Sequence, residues 1–170
     1  ALLDGFTITH GAAVGVSGNG NGDGGGIALD GAPTLVNLTI EANEAVSGGG
    51  IGVRATGALI LSRSTVQDNE GSGLAITQNA PDSTITNVTF TGNHNDVRGG
   101  AMQLRSSTTL NNVTIEGNTA GTFAGIFMPA ESFGETVTIR NSLVGEPFGS
   151  LGNAGGYLIE NSAVSHPCPE

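Results

Sequence analysis

One six-residue phrase, repeated along the chain, limits what this sequence can fold into more than any other feature. It reads Leu35-Val36-Asn37-Leu38-Thr39-Ile40, then Leu61-Ser62-Arg63-Ser64-Thr65-Val66, Ile85-Thr86-Asn87-Val88-Thr89-Phe90 and Leu110-Asn111-Asn112-Val113-Thr114-Ile115. Looser copies start at Leu3, Ile139 and Ile159. The seven starts fall at residues 3, 35, 61, 85, 110, 139 and 159, a mean spacing of 26. Apolar residues hold the first, fourth and sixth positions, relaxing to Ser at a few fourth positions. From the second position on, this is the period of two that marks a strand with one buried face.

Two further columns keep step with the phrase. Glycines followed by a short apolar run recur as Gly24-Gly25-Gly26-Ile27, Gly48-Gly49-Gly50-Ile51, Gly71-Ser72-Gly73-Leu74 and Gly99-Gly100-Ala101-Met102. They predict a turn into a second strand. Three residues after the phrase come Asn43, Asn69, Asn93 and Asn118, with Gly11 and Pro147 where the column fails. Asparagine tolerates left-handed backbone, and amides stacked coil on coil can pair as a ladder.

Glycine makes up 29 of 170 residues and interrupts nearly every stretch long enough for a helix. It lacks the three-residue period of collagen, and no apolar run approaches the length of a membrane span. The expected fold is all-β, a parallel β-solenoid of about seven coils of about 26 residues, forming one domain over residues 1–170. Residues 12–24 stand out as a glycine-rich loop insertion.

Phe90-Thr91-Gly92-Asn93 followed by Gly99-Gly100-Ala101-Met102 resembles the paired FxxN and GGA[ILV] motifs of chlamydial-type polymorphic outer-membrane proteins. Looser versions are Ile40-Glu41-Ala42-Asn43 with Gly49-Gly50-Ile51, and Ile115-Glu116-Gly117-Asn118. The resemblance covers nearly the whole chain and implies a right-handed parallel β-helix of the pectate-lyase-like superfamily. It also implies a secreted or surface-displayed passenger, a class in which many members act in adhesion.

Fifteen Asp and Glu face five basic residues, all arginine, for a net charge of -10. That balance argues against nucleic acid, whose binding requires cations to displace counterions, and against an anionic membrane surface. The chain opens at Ala1 without a leader, which reads as a processed or excised piece of a longer secreted protein. The single Cys168 cannot pair internally and awaits a partner beyond the segment.

Two stretches could carry chemistry. Asn19, Asn21, Asp23 and Asp30, with a glycine at the sixth position, resemble a calcium loop of the DxDxDG type. Only two formal charges stand among those ligands, so a glycine-rich surface loop is the plainer reading. The second stretch, Asn93-His94-Asn95-Asp96-Val97-Arg98, could serve acid/base chemistry or grip a sugar, with Asp68, Glu70 and Glu116 on neighbouring coils. Its plainer reading is a solvated loop with a local Asp96–Arg98 contact. The N-x-T sequons at Asn37, Asn87 and Asn112 follow from the strand repeat itself. The outward threonines Thr7, Thr39, Thr65, Thr89 and Thr114 lack the second Thr column of an ice-binding face.

The sequence thus points to a noncatalytic extracellular structural or adhesive module. Its expected partners are adjacent coils, further copies of the chain stacked end to end, or cell-surface glycans. No residue of the sequence stands out as catalytic, and calcium is the one cofactor it suggests. The alternative is a carbohydrate-active β-helix, a polysaccharide lyase or glycoside hydrolase, or a carbohydrate-binding fragment of one.

Overall fold

A strand with one apolar edge pattern buries it only by lying against its own repeats, in register. The computed structural model describes residues 1–13, 24–54, 57–76, 82–130, 132, 134–150 and 155–165. Strands Leu2–Asp4, Thr34–Val36, Ile60–Gln67, Ser83–Thr91, Thr108–Glu116, Thr136–Arg140 and Gly156–Glu160 stack in that order, all parallel. With Thr7–Thr9, Thr39–Glu41, Leu143–Val144 and Ala163–Val164 they form an 11-stranded sheet, the first face. A 6-stranded sheet of Ile27–Asp30, Ile51–Arg54, Leu74–Ile76, Met102–Leu104, Ile126–Met128 and Gly149–Ser150 forms the second.

The third face is made of shorter pieces. Ala12–Ala13 pairs Glu44–Ala45, His94–Arg98 pairs Thr119–Thr122, and single bridges join Glu44 to Glu70 and Glu70 to His94. Among the described residues, about five coils therefore close on all three sides, fewer than the seven phrase copies suggest. The seventh coil runs beyond the described residues, and in the sixth the reason is length. The last interval, from Ile139 to Ile159, is only 20 residues, leaving too little chain for a third strand.

The core is a stack of like on like. Leu35, Leu61, Ile85, Leu110 and Ile139 pair coil to coil and are buried, as are Ile40, Val66, Phe90, Ile115 and Val144. Second-face Ile51, Leu74, Met102 and Ile126 complete the same cluster. The third position of the phrase explains its broken alternation. Asn37, Arg63, Asn87, Asn112, Asn141 and Asn161 all take positive φ between 49° and 58°. A left-handed residue there bends the strand, so the first and fourth positions both face inward. Asparagine accepts that backbone more readily than most residues, which is why the phrase reads N-x-T.

The buried ladder is present, with two corrections. Asn43, Asn69, Asn93 and Asn118 are buried, and each Nδ2 donates to the Oδ1 of the next amide at 2.9 Å along the first three steps. The left-handed residues are not these asparagines but their predecessors Ala42, Asp68, Gly92 and Gly117. At one end the Gly11 N–H donates to Asn43 Oδ1 at 2.9 Å. At the other the column runs into Glu146 rather than failing at Pro147, and the Asn118 N–H donates to Glu146 Oε1 at 2.7 Å. Just past the ladder the chain turns onto the second face through glycines packed against the next coil. A Cβ on Gly49 would strike the Glu70 carbonyl, so no side chain fits there.

Of the residues of the calcium reading, Asn19, Asn21 and Asp23 lie outside the described residues. Asp30 is exposed at the end of a second-face strand, in register with Arg54. Cys168 also lies outside the described residues.

Candidate functional site

The residue that follows each ladder asparagine occupies one position on the third face, so the repeat aligns Glu44, Glu70, His94 and Thr119 in a column. Beyond His94 the strand carries a bulge. Register with Thr119–Thr122 shifts between Asn95 and Arg98, and the intervening Asp96 and Val97 stand out into solvent. Asn95 holds the bulge from below. Its buried Oδ1 accepts from the Val97 and Arg98 N–H groups at 2.9 and 3.0 Å, and its Nδ2 donates to Ser72 Oγ at 3.0 Å.

Two adjoining clefts flank the bulge and share Val46, Asn95 and Val97. The first, of about 310 Å³, is acidic, with Glu44, Glu70 and Asp96 in its lining. His94 leans across this side. Its Nε2 lies 3.2 Å from Asp96 Oδ1 and 3.8 Å from Glu70 Oε1, while its Nδ1 shares a 2.7 Å hydrogen bond with Thr119 Oγ1. The second cleft, of about 230 Å³, is cationic and polar, lined by Arg98, Arg105, Gln103, Ser47 and Phe127. The Arg98 guanidinium sits 5.3 Å over the Phe127 ring, which stacks on Phe123 at 5.8 Å. Gln103 Nε2 donates to the Arg98 carbonyl at 3.0 Å, bracing the same segment.

The loop singled out in the sequence is thus the centre of this face, but its contacts differ from expectation. Asp96 meets His94, and Arg98 meets Phe127, so the local Asp96–Arg98 contact does not form. The bulge turns the two side chains to opposite clefts. Of the neighbouring acids, only Glu70 joins the cluster. Asp68 sits at a left-handed corner with φ 53° beneath Gly92, and Glu116 pairs Thr91 on the first face. Glu44, Arg105 and Phe127 were missed by sequence reasoning. Glu44 was findable, since it follows Asn43 as Glu70 follows Asn69. Arg105 and Phe127 come from second-face elements, and no spacing rule ties them to the bulge.

The acidic side can hold a cation or accept hydroxyl protons, and the cationic side can grip an anion. The side chains of Glu70 and Asp96 are 51% and 91% exposed, so water reaches both. That is unlike the water-excluded setting in which fixed charges polarise a scissile bond most strongly.

Stacked parallel rungs on three faces, a shared aliphatic core and an internal amide ladder define a parallel β-helix. The chain belongs to the family described as right handed beta helix region, whose profile matches residues 3–166, and this assigns the coil its hand. No curated protein and no solved structure matches the chain.

Proposed function

We propose that this chain is a noncatalytic structural and adhesive β-helix module, working outside the cell or at its surface, that holds acidic glycans in the Arg98–Arg105 cleft. One observation carries the reading. In a chain of net charge -10 with five arginines and no lysine, two of those arginines line one cleft beside the amide of Gln103. Forked guanidinium donors match a sugar carboxylate, and neighbouring amides and hydroxyls match ring hydroxyls. The Phe127 ring under the Arg98 guanidinium restrains it, which lowers the ordering cost of binding. The likeness of Phe90–Asn93 and Gly99–Met102 to surface-displayed passengers, and to the pectate-lyase-like superfamily, supports the same setting. In the first and last coils of the stack the inward positions Phe6 and Ile159 are exposed, which supports further coils or copies of the chain as partners.

Calorimetric titration with an acidic oligosaccharide such as oligogalacturonate tests the reading against a neutral oligosaccharide of equal length. Binding should be selective for the acidic ligand and weaken with salt. Arg98→Ala and Arg105→Ala should each weaken it by about tenfold or more. Equal binding of both ligands, or no loss in either variant, would remove the glycan assignment. Release of reducing ends or unsaturated products that His94→Ala abolishes would establish the lyase or hydrolase alternative instead.

A further inference from the structure

We propose that Glu70, His94 and Asp96 form a binding site for one divalent transition-metal ion of the zinc class. Backbone geometry sets the three donors side by side. His94 and Asp96 are two apart on one strand, and Glu70 is bridged to His94 from the coil below. Their ligand atoms all lie within 4.8 Å of one another.

The spacing fits the ion. Four ligands in a tetrahedron at zinc distances of about 2.0–2.1 Å stand about 3.3 Å apart. His94 Nε2 lies 3.2 Å from Asp96 Oδ1 and 3.8 Å from Glu70 Oε1, on either side of that value. The far side of the ring is already anchored. With the proton on Nδ1, Thr119 Oγ1 accepts it at 2.7 Å and Nε2 turns its lone pair to the two carboxylates. A hydrogen bond of this kind, behind a ligating imidazole, fixes its tautomer and raises its basicity. Glu44 in the same cleft adds negative charge, and solvent supplies the open position.

The donors also choose the class of ion. One imidazole nitrogen with two carboxylates matches zinc and its neighbours in the first transition row, whereas calcium takes six to eight oxygens. The proposal is independent of the glycan reading, which rests on the other cleft.

Titration of the full chain with zinc alone should show one saturable equivalent, lost in His94→Gln. Glu70→Gln, at an exposed position whose backbone bridge is retained, should weaken zinc by about tenfold or more, and Thr119→Val by about tenfold. Cobalt(II) in place of zinc should give visible bands of a four- or five-coordinate ion that His94→Gln removes. Far-UV circular dichroism confirms that each variant folds, and Glu70→Gln carries the test if His94→Gln does not. Absence of saturable zinc binding, or binding unchanged in Glu70→Gln, would overturn the site and leave an ordinary histidine–carboxylate contact. Calcium bound as tightly as zinc in a His94-dependent way would overturn the class of ion.

Discussion

At the scale of single residues, Glu146 is the outlier in an otherwise neutral ladder. Burial pushes its carboxyl above the usual value of 4.5, partly offset by the donors of Asn118, and the like charge of Glu116 raises it further. Its Oε2 is buried without a partner. A raised pKa means that the folded chain binds the proton more tightly than the unfolded one. Stability from this group is therefore greatest at low pH and is lost as pH rises from about 4.5 through the raised value. Glu146→Gln cannot lose a proton. Its unfolding midpoint relative to the parent chain should climb across that window and level off above it. A difference that stays flat between about pH 4 and pH 8 would show that Glu146 does not titrate against folding.

At the scale of the element, stability comes from columns rather than from individual strands. Leu110 stacks between Ile85 and Ile139 and is fully buried, so Leu110→Ala removes contacts to both neighbouring coils. The cost should be about 2–5 kcal/mol, read from urea unfolding. Thr89→Ala, in the outward column between Thr65 and Thr114, should cost less than about 1 kcal/mol. Equal losses at the two positions would contradict the inside-out assignment of the phrase. The ladder follows the same logic, since each amide both donates to and accepts from a neighbouring coil. Asn95 stands outside the ladder, buried and bonded to three partners of its own.

For the whole molecule, nearest-neighbour stacking makes the middle coils the most secure and the end coils the least. Among the described residues Leu3 pairs only with Leu35 and Ile159 only with Ile139, and the inward positions Phe6 and Ile159 are 56% and 39% exposed. Exposed apolar side chains on an unpaired parallel edge are a template for another chain. Light scattering across a wide concentration range should therefore show association that Phe6→Lys reduces. A strict monomer at every concentration, with amides of the first coil as protected from exchange as those around Ile85, would remove end-to-end stacking from the account.

The sequence by itself determined the coil. A phrase of fixed length repeats its inward apolar positions, its left-handed corner and its ladder asparagine, and each follows from short-range chemistry of the phrase. Stacking in register then required nothing but repetition. What only the tertiary structure decided lies where the repeat is interrupted. The bulge at Asp96 and Val97 sends Asp96 to His94 and Arg98 to Phe127, a choice between two partners that residue identity left open. Arg105 and Phe127 reach the same cleft from different coils, and the ladder ends on Glu146, one residue before the position that the asparagine column predicts. The physical reason is the same in each case. Strand register is set by local pattern, but the paths of connections of unequal length decide which side chains of neighbouring coils meet, and those paths depend on the packed whole.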